Sequence, residues 1–78
     1  MTQYINQSLQ RAMQIMELIA NHANGMTLTE VCRAANLNKT IAYRLLMTLL
    51  NGGWLIRDQD NRFKTGIKLI TMFYKALD

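Results

Sequence analysis

"TLTEVCRAANLNKTIAYRLLMTLLN", residues 27–51, decides the fold. Thr27-Leu28-Thr29-Glu30 is a capping box: the threonine hydroxyl accepts the amide of Glu30, and the Glu30 carboxylate reaches back to the amide of Thr27. A helix therefore starts here, with Leu28, Val31, Cys32 and Ala35 on its inward side. It closes by Ala35. Asn36 follows, and asparagine is the non-glycine residue that best tolerates the left-handed backbone, so Asn36 is the pivot of a tight turn. Leu37 plugs the core beneath the turn, and Asn38 caps the next helix, which runs to Asn51. Two helices joined this closely make a helix-turn-helix.

The second of these helices has two unlike faces. Ile41, Ala42, Leu45, Leu46 and Leu49 share one broad arc, the core side. Lys39, Thr40, Tyr43, Arg44, Met47 and Thr48 share the opposite arc, with the polar residues crowded into the first turns. A helix that only filled a core would not need this second set. A recognition helix presents its N-terminal turns to base edges in the major groove. Arg44 can pair in bidentate fashion with guanine. Thr40 can bond a base or touch a thymine methyl, and Tyr43 can do either or hold a phosphate. Lys39, at the edge of the arc, suits a phosphate, and Met47 suits a thymine methyl. Ordinary roles compete with these: Tyr43 and Met47 packing on a neighbouring element, Lys39 and Arg44 as solvated charges, Thr40 as a first-turn hydroxyl.

Outward from this pair, Ser8 precedes Leu9, Ala12, Met13, Met16, Ile19 and Ala20, apolar positions at the period of one helix face. The spacing predicts a helix over 8–22 capped by Ser8 and stopped by Asn24-Gly25. Ile15 and Leu18 widen the stripe, which fits either a deeply buried helix or a contact with a second copy. On the other side, "NGG" at 51–53 breaks the chain, "WLIRD" and "RFKTG" are strand candidates, and "DQDN" at 58–61 is turn material. A hairpin over 53–65 with Arg57, Arg62 and Lys64 near its tip is a wing. These cations could straddle a DNA backbone or enter a minor groove, although Asp58 and Asp60 among them would repel phosphate if they pointed at it. Ile67, Ile70, Phe73, Tyr74 and Leu77 predict a last helix over 66–77. The expected architecture is mostly α with a small β wing (α+β): a winged helix-turn-helix, with a three-helix core, a β-hairpin and a C-terminal helix.

A chain of 78 residues suits one small domain. Half of its residues are apolar, rich enough to expect that a partner covers some of the excess. The net charge of +4 is uneven. Residues 1–30 set Arg11 against Glu17 and Glu30, a balance of −1. Residues 31–78 set Arg33, Lys39, Arg44, Arg57, Arg62, Lys64, Lys68 and Lys75 against Asp58, Asp60 and Asp78, a balance of +5. A basic half suits a polyanion. The single cysteine, Cys32, cannot close a disulfide within the chain. No apolar leader or membrane-length run is present, so a cytoplasmic protein without a membrane partner is expected.

An enzyme is not expected. His22 and Cys32 are the only residues of their kinds and lie on different helices. There is no zinc-type Cys/His spacing, no phosphate-binding glycine loop (Gly52-Gly53 leads into a strand), and no convincing carboxylate pair. No cofactor or metal is implied.

The order "SLQRAMQIMELIA … GMTLTEVCRAANLNKTIAYRLLMTLLNGGWLIRDQDNRFKTGIKLI" closely resembles the DNA-binding domain of IclR-type transcriptional regulators over about residues 7–72. The resemblance implies a winged helix-turn-helix that binds operator double-stranded DNA as a dimer. It implies a groove-facing role for Lys39, Thr40, Tyr43 and Arg44, and a role in pairing for the last helix. Asn36 stands where that family usually has glycine, and Asn38 where it often has proline; asparagine serves in both places. The family's effector-binding domain is absent from these residues, so no small-molecule effector is inferred, and either a free-standing regulator or part of a longer one is expected. The expected DNA-facing set is Thr27, Lys39, Thr40, Tyr43, Arg44 and Met47 with Arg57, Arg62 and Lys64. The expected homodimer interface is Ile15, Leu18, Ile67, Ile70, Phe73, Tyr74 and Leu77. The rival expectation is a winged-helix module that binds another protein, with RNA binding a lesser one.

Overall fold

The computed structural model describes residues 4–78. Its elements run α1 (Gln7–Ala20), α2 (Leu28–Ala35), α3 (Lys39–Asn51), β1 (Leu55–Arg57), β2 (Phe63–Thr65) and α4 (Ile67–Leu77). This is a mostly helical winged helix-turn-helix.

The helix-turn-helix forms by the local chemistry expected of it. The Thr27 hydroxyl accepts the Glu30 amide at 3.2 Å, and Glu30 Oε1 accepts the Thr27 amide at 2.9 Å. Asn36 ends α2 in the left-handed region at φ 54°. Asn38 Oδ1 accepts the Ile41 amide at 2.9 Å and starts α3. At its far end, Gly53 at φ +82° lets its own amide reach Leu50 O and the Trp54 amide reach Leu49 O. Those two bonds form a Schellman closure.

The first helix departs from expectation at both ends. Its cap is Asn6, whose Oδ1 accepts the Leu9 amide at 2.9 Å, and not Ser8. Asparagine caps as well as serine, and here it stands one residue ahead of the helix. The helix ends at Ala20, because the amides of Asn21 and His22 turn to Leu18 O and Ile19 O in a tighter closing turn. A His22 ring nitrogen lies 2.8 Å from Leu18 O, beside the helix terminus.

The buried face of α1 also differs from the predicted stripe. Leu9 and Met13 are at least half exposed, whereas Ile15 and Ile19 are fully buried. Apolar residues surround more than half of this helix, so periodicity alone could not select the arc; packing on α2, α3 and β2 did. Ile15 is therefore a core residue, and its expected place in a dimer interface is corrected: none of its surface is left for a partner. The rest of the core is Met26, Val31, Ala42, Leu46, Leu49, Leu55 and Phe63.

The wing is an antiparallel hairpin with Leu55 opposite Thr65, Ile56 opposite Lys64 and Arg57 opposite Phe63. Successive side chains of a strand alternate between faces. Leu55, Arg57, Phe63 and Thr65 therefore share the core-side face, and Ile56 and Lys64 take the other. Met26 extends the pairing, exchanging backbone hydrogen bonds with Phe63 at 3.0 and 2.7 Å. Gly66 heads α4, which has no buried residue. The Lys68 ammonium lies 5.5 Å from the Trp54 ring centre, at the start of that helix.

Candidate nucleic-acid interface

The outward face of α3 is laid out as its spacing requires. Lys39, Thr40, Tyr43 and Arg44 are all exposed in its first two turns. The Arg44 side chain forms no ion pair among the described residues, and neither does Lys39. Thr48, further along the arc, donates its hydroxyl to Arg44 O at 2.7 Å and is satisfied within the helix. Met47 is half-buried, because Arg57 of β1 reaches across to it: Nη2 lies 2.8 Å from Met47 Sδ. The Arg57 guanidinium also sits 4.9 Å from the centre of the Phe63 ring. Held by a thioether and an aromatic face, Arg57 sits beside the third turn of α3 and forms no ion pair among the described residues.

The other two wing cations are occupied. Arg62 Nη1 donates to Glu30 Oε1 and to the Gly25 carbonyl, each at 3.2 Å. Lys64 Nζ lies 3.3 Å from Asp58 Oδ2, and strand alternation puts Lys64 on the face opposite Arg57. Arg57, Arg62 and Lys64 therefore do not form one cluster.

The Asp58 carboxylate caps the turn at the hairpin tip. Its Oδ1 accepts the amides of Asp60 at 2.8 Å and Arg62 at 3.0 Å. The Arg62 amide holds the Asp58 carboxyl below its ordinary range, with the Asp60 amide and Lys64 adding to the effect against partial desolvation. Asp60 stays exposed at the tip. Glu30 is likewise held low, first by the hydrogen bond from the Thr27 amide and further by the Arg62 charge, against partial desolvation.

A groove runs between the head of α2, the side of α3 and the wing. Thr27, Tyr43 and Arg57 line it, together with Thr29 and Asn61. The Thr27 hydroxyl oxygen accepts the Glu30 amide in the cap and retains its one hydrogen-bond donor. Thr29 and Asn61 were not among the expected DNA-facing residues. Packing of α2 on α3 sets Thr29 in this groove with Tyr43, and docking of the wing brings Asn61 there; the local hint for Asn61 is its turn chemistry, at φ 58°.

The remaining expected interface residues lie apart from this face. Ile67, Ile70, Phe73, Tyr74 and Leu77 are exposed on α4, and Leu18 packs half-buried against the core. Tyr4, Ile5, Leu9 and Met13 form further exposed apolar surface at the start of the chain. Among the described residues no cluster of His, Cys, Asp and Glu could hold a metal ion, and no helix is long and apolar enough to cross a membrane.

Comparison with known proteins gives this geometry a family. The model of the IclR helix-turn-helix domain matches residues 8–59. An uncharacterized HTH-type transcriptional regulator of Haemophilus influenzae is 40% identical over 73 residues, 92% of this chain and 27% of that protein. The HTH-type transcriptional regulator XynR of Escherichia coli is 31% identical over 67 residues, 85% of this chain and 27% of the relative. The crystal structure of an IclR transcriptional regulator from Alicyclobacillus acidocaldarius superimposes with a TM-score of 0.89 at 31% identity, over 96% of this chain and 31% of that one. The chain thus spans about a quarter of the length of the curated relatives it matches. Sequence, fold and the polar outward face of α3 agree: the chain belongs to the IclR family of helix-turn-helix DNA-binding regulators.

Proposed function

We propose that this chain binds double-stranded DNA sequence-specifically as a transcriptional regulator, with α3 in the major groove and the wing along the backbone or minor groove. The observation that carries this reading is the exposed set Lys39, Thr40, Tyr43 and Arg44 in the first two turns of α3, its two cations without an ion pair among the described residues, flanked by an Arg57 held in place by Met47 and Phe63. Arg44 reads a base edge, Lys39 and Arg57 meet phosphates, and Thr40, Tyr43 and Met47 supply further contacts. Thr27 lines the approach. Lys64 contributes by exchanging its Asp58 partner for phosphate, since its ammonium makes one ion pair and no further bond among the described residues, whereas the Arg62 guanidinium also donates to the Gly25 carbonyl.

The proposal extends to a homodimer on a palindromic operator, acting in the cytoplasm. Support comes from exposed apolar surface: Ile70, Phe73, Tyr74 and Leu77 on α4, and Leu9 and Met13 on α1. The same surface favours the second reading, a module that docks on another protein. Selection of random duplexes by the purified chain at near-physiological salt tests both. An enriched palindrome with half-sites about one helical turn apart supports the dimeric DNA reader. Weak, salt-sensitive binding without enrichment refutes it in favour of the protein-docking module.

A further inference from the structure

Arg62 lies in the wing, yet its guanidinium turns back toward α2. One nitrogen, Nη1, donates to both the Gly25 carbonyl and Glu30 Oε1 at 3.2 Å. The same Oε1 accepts the Thr27 amide at 2.9 Å. A single carboxylate oxygen thus closes the first turn of α2 and grips the residue that leads into β2. The two segments meet closely here: Gly25 has φ +78°, and a Cβ on it would stand 2.8 Å from the Phe63 carbonyl oxygen. The Met26–Phe63 backbone pair completes the junction.

This junction bears on the DNA-facing surface through strand register. Arg57 is the partner of Phe63 in the ladder and lies over its ring. Wherever β2 is held, Arg57 is held with it. A hairpin of two three-residue strands has little stability of its own, so its position beside α3 depends on what fastens it to the helices. We propose that Arg62 is a positioning residue for DNA recognition: clasped by Glu30 and Gly25, it sets the placement of the wing, and so of Arg57 against α3, and does not itself contact a phosphate. The role rests on the DNA-binding reading above.

The test uses the whole chain and two variants, Arg62→Gln and Glu30→Gln. Glutamine at position 30 keeps the acceptor that caps α2 while removing the charge that holds Arg62. Binding to a duplex selected by the wild-type chain is followed across a salt series, and exchange of the Met26 and Phe63 amides is followed without DNA. Positioning predicts that both variants shift binding in the same direction, each about threefold weaker and with the same salt slope as the other, that both amides exchange faster, and that Arg62→Lys restores part of each loss. Direct phosphate contact predicts the reverse pattern: Arg62→Gln lowers the slope by about 0.9, and Glu30→Gln, having freed the arginine and removed an acid, binds more tightly. That pattern overturns the proposal, as does unchanged amide exchange in both variants. If the wild-type chain selects no duplex, the DNA-binding reading fails and takes the proposed role with it; faster exchange in both variants would then place the fault in that reading and not in the clasp.

Discussion

Replacing Arg44 with alanine separates base reading from charge. The side chain is exposed on the second turn of α3 and makes no ion pair among the described residues. Its removal leaves no buried group unsatisfied, and alanine favours the helix, so folding stability should move by no more than about 0.5 kcal/mol. Any larger loss in binding therefore belongs to the complex. A bidentate pair with guanine carries about 1–3 kcal/mol of discrimination, which is about 5- to 150-fold in affinity per half-site. A symmetric dimer doubles the free energy. On random DNA the same substitution should cost little, because Arg44 bonds a particular base there only by chance. Lys39→Ala provides the contrast: a phosphate goes without its cation on every sequence alike, and the slope of log affinity against log salt falls by about 0.9 per site. Fluorescence anisotropy with selected and scrambled duplexes over a range of salt reads both quantities. Equal losses for Arg44→Ala on the two duplexes would refute base reading by Arg44, and an unchanged slope for Lys39→Ala would refute its phosphate contact.

Three further outcomes are expected. Gly25→Ala puts a Cβ 2.8 Å from the Phe63 carbonyl oxygen at φ +78° and should cost more than about 2 kcal/mol in urea unfolding, left-handed strain and the backbone clash adding; a change under about 0.5 kcal/mol would contradict the close approach of loop and strand. Ile15→Ala should cost about 2–5 kcal/mol of stability and leave the monomer–dimer equilibrium alone, whereas Phe73→Glu should abolish pairing in sedimentation with little effect on the fold. Acid should weaken the protein through Glu30 and Asp58. Folding lowers both carboxyls from ordinary values of 4.5 and 3.8, so the unfolded chain takes up protons first; the stabilisation is complete above those values and is lost as pH falls through the lower folded ones. Urea midpoints that stay level on descending through this range would rule the contribution out.

Much of the fold was legible because its signals are local. The capping box at Thr27 and Glu30, the left-handed Asn36 and the Asn38 cap each close a hydrogen bond or a turn within a few residues. The split between the two faces of α3 follows from helical period alone, so the exposure of Lys39, Thr40, Tyr43 and Arg44 was readable before any packing was known. The cap of α1 was misplaced by two residues because Asn6 and Ser8 are chemically equal candidates, and nothing local ranks them.

The sequence by itself determined the order of elements, the helix-turn-helix and the polar outward face of α3, since caps and periods act between near neighbours. Tertiary structure alone decided which arc of α1 is buried, which placed Ile15 in the core and left Leu9 and Met13 in the open. It also decided which wing cations are free. Arg57 meets Met47 ten residues away, and Arg62 meets Glu30 thirty-two residues away. A charge in a sequence becomes a ligand for DNA or a brace for the fold according to what chain folding brings beside it, and such partners carry no signature in the residues next to it.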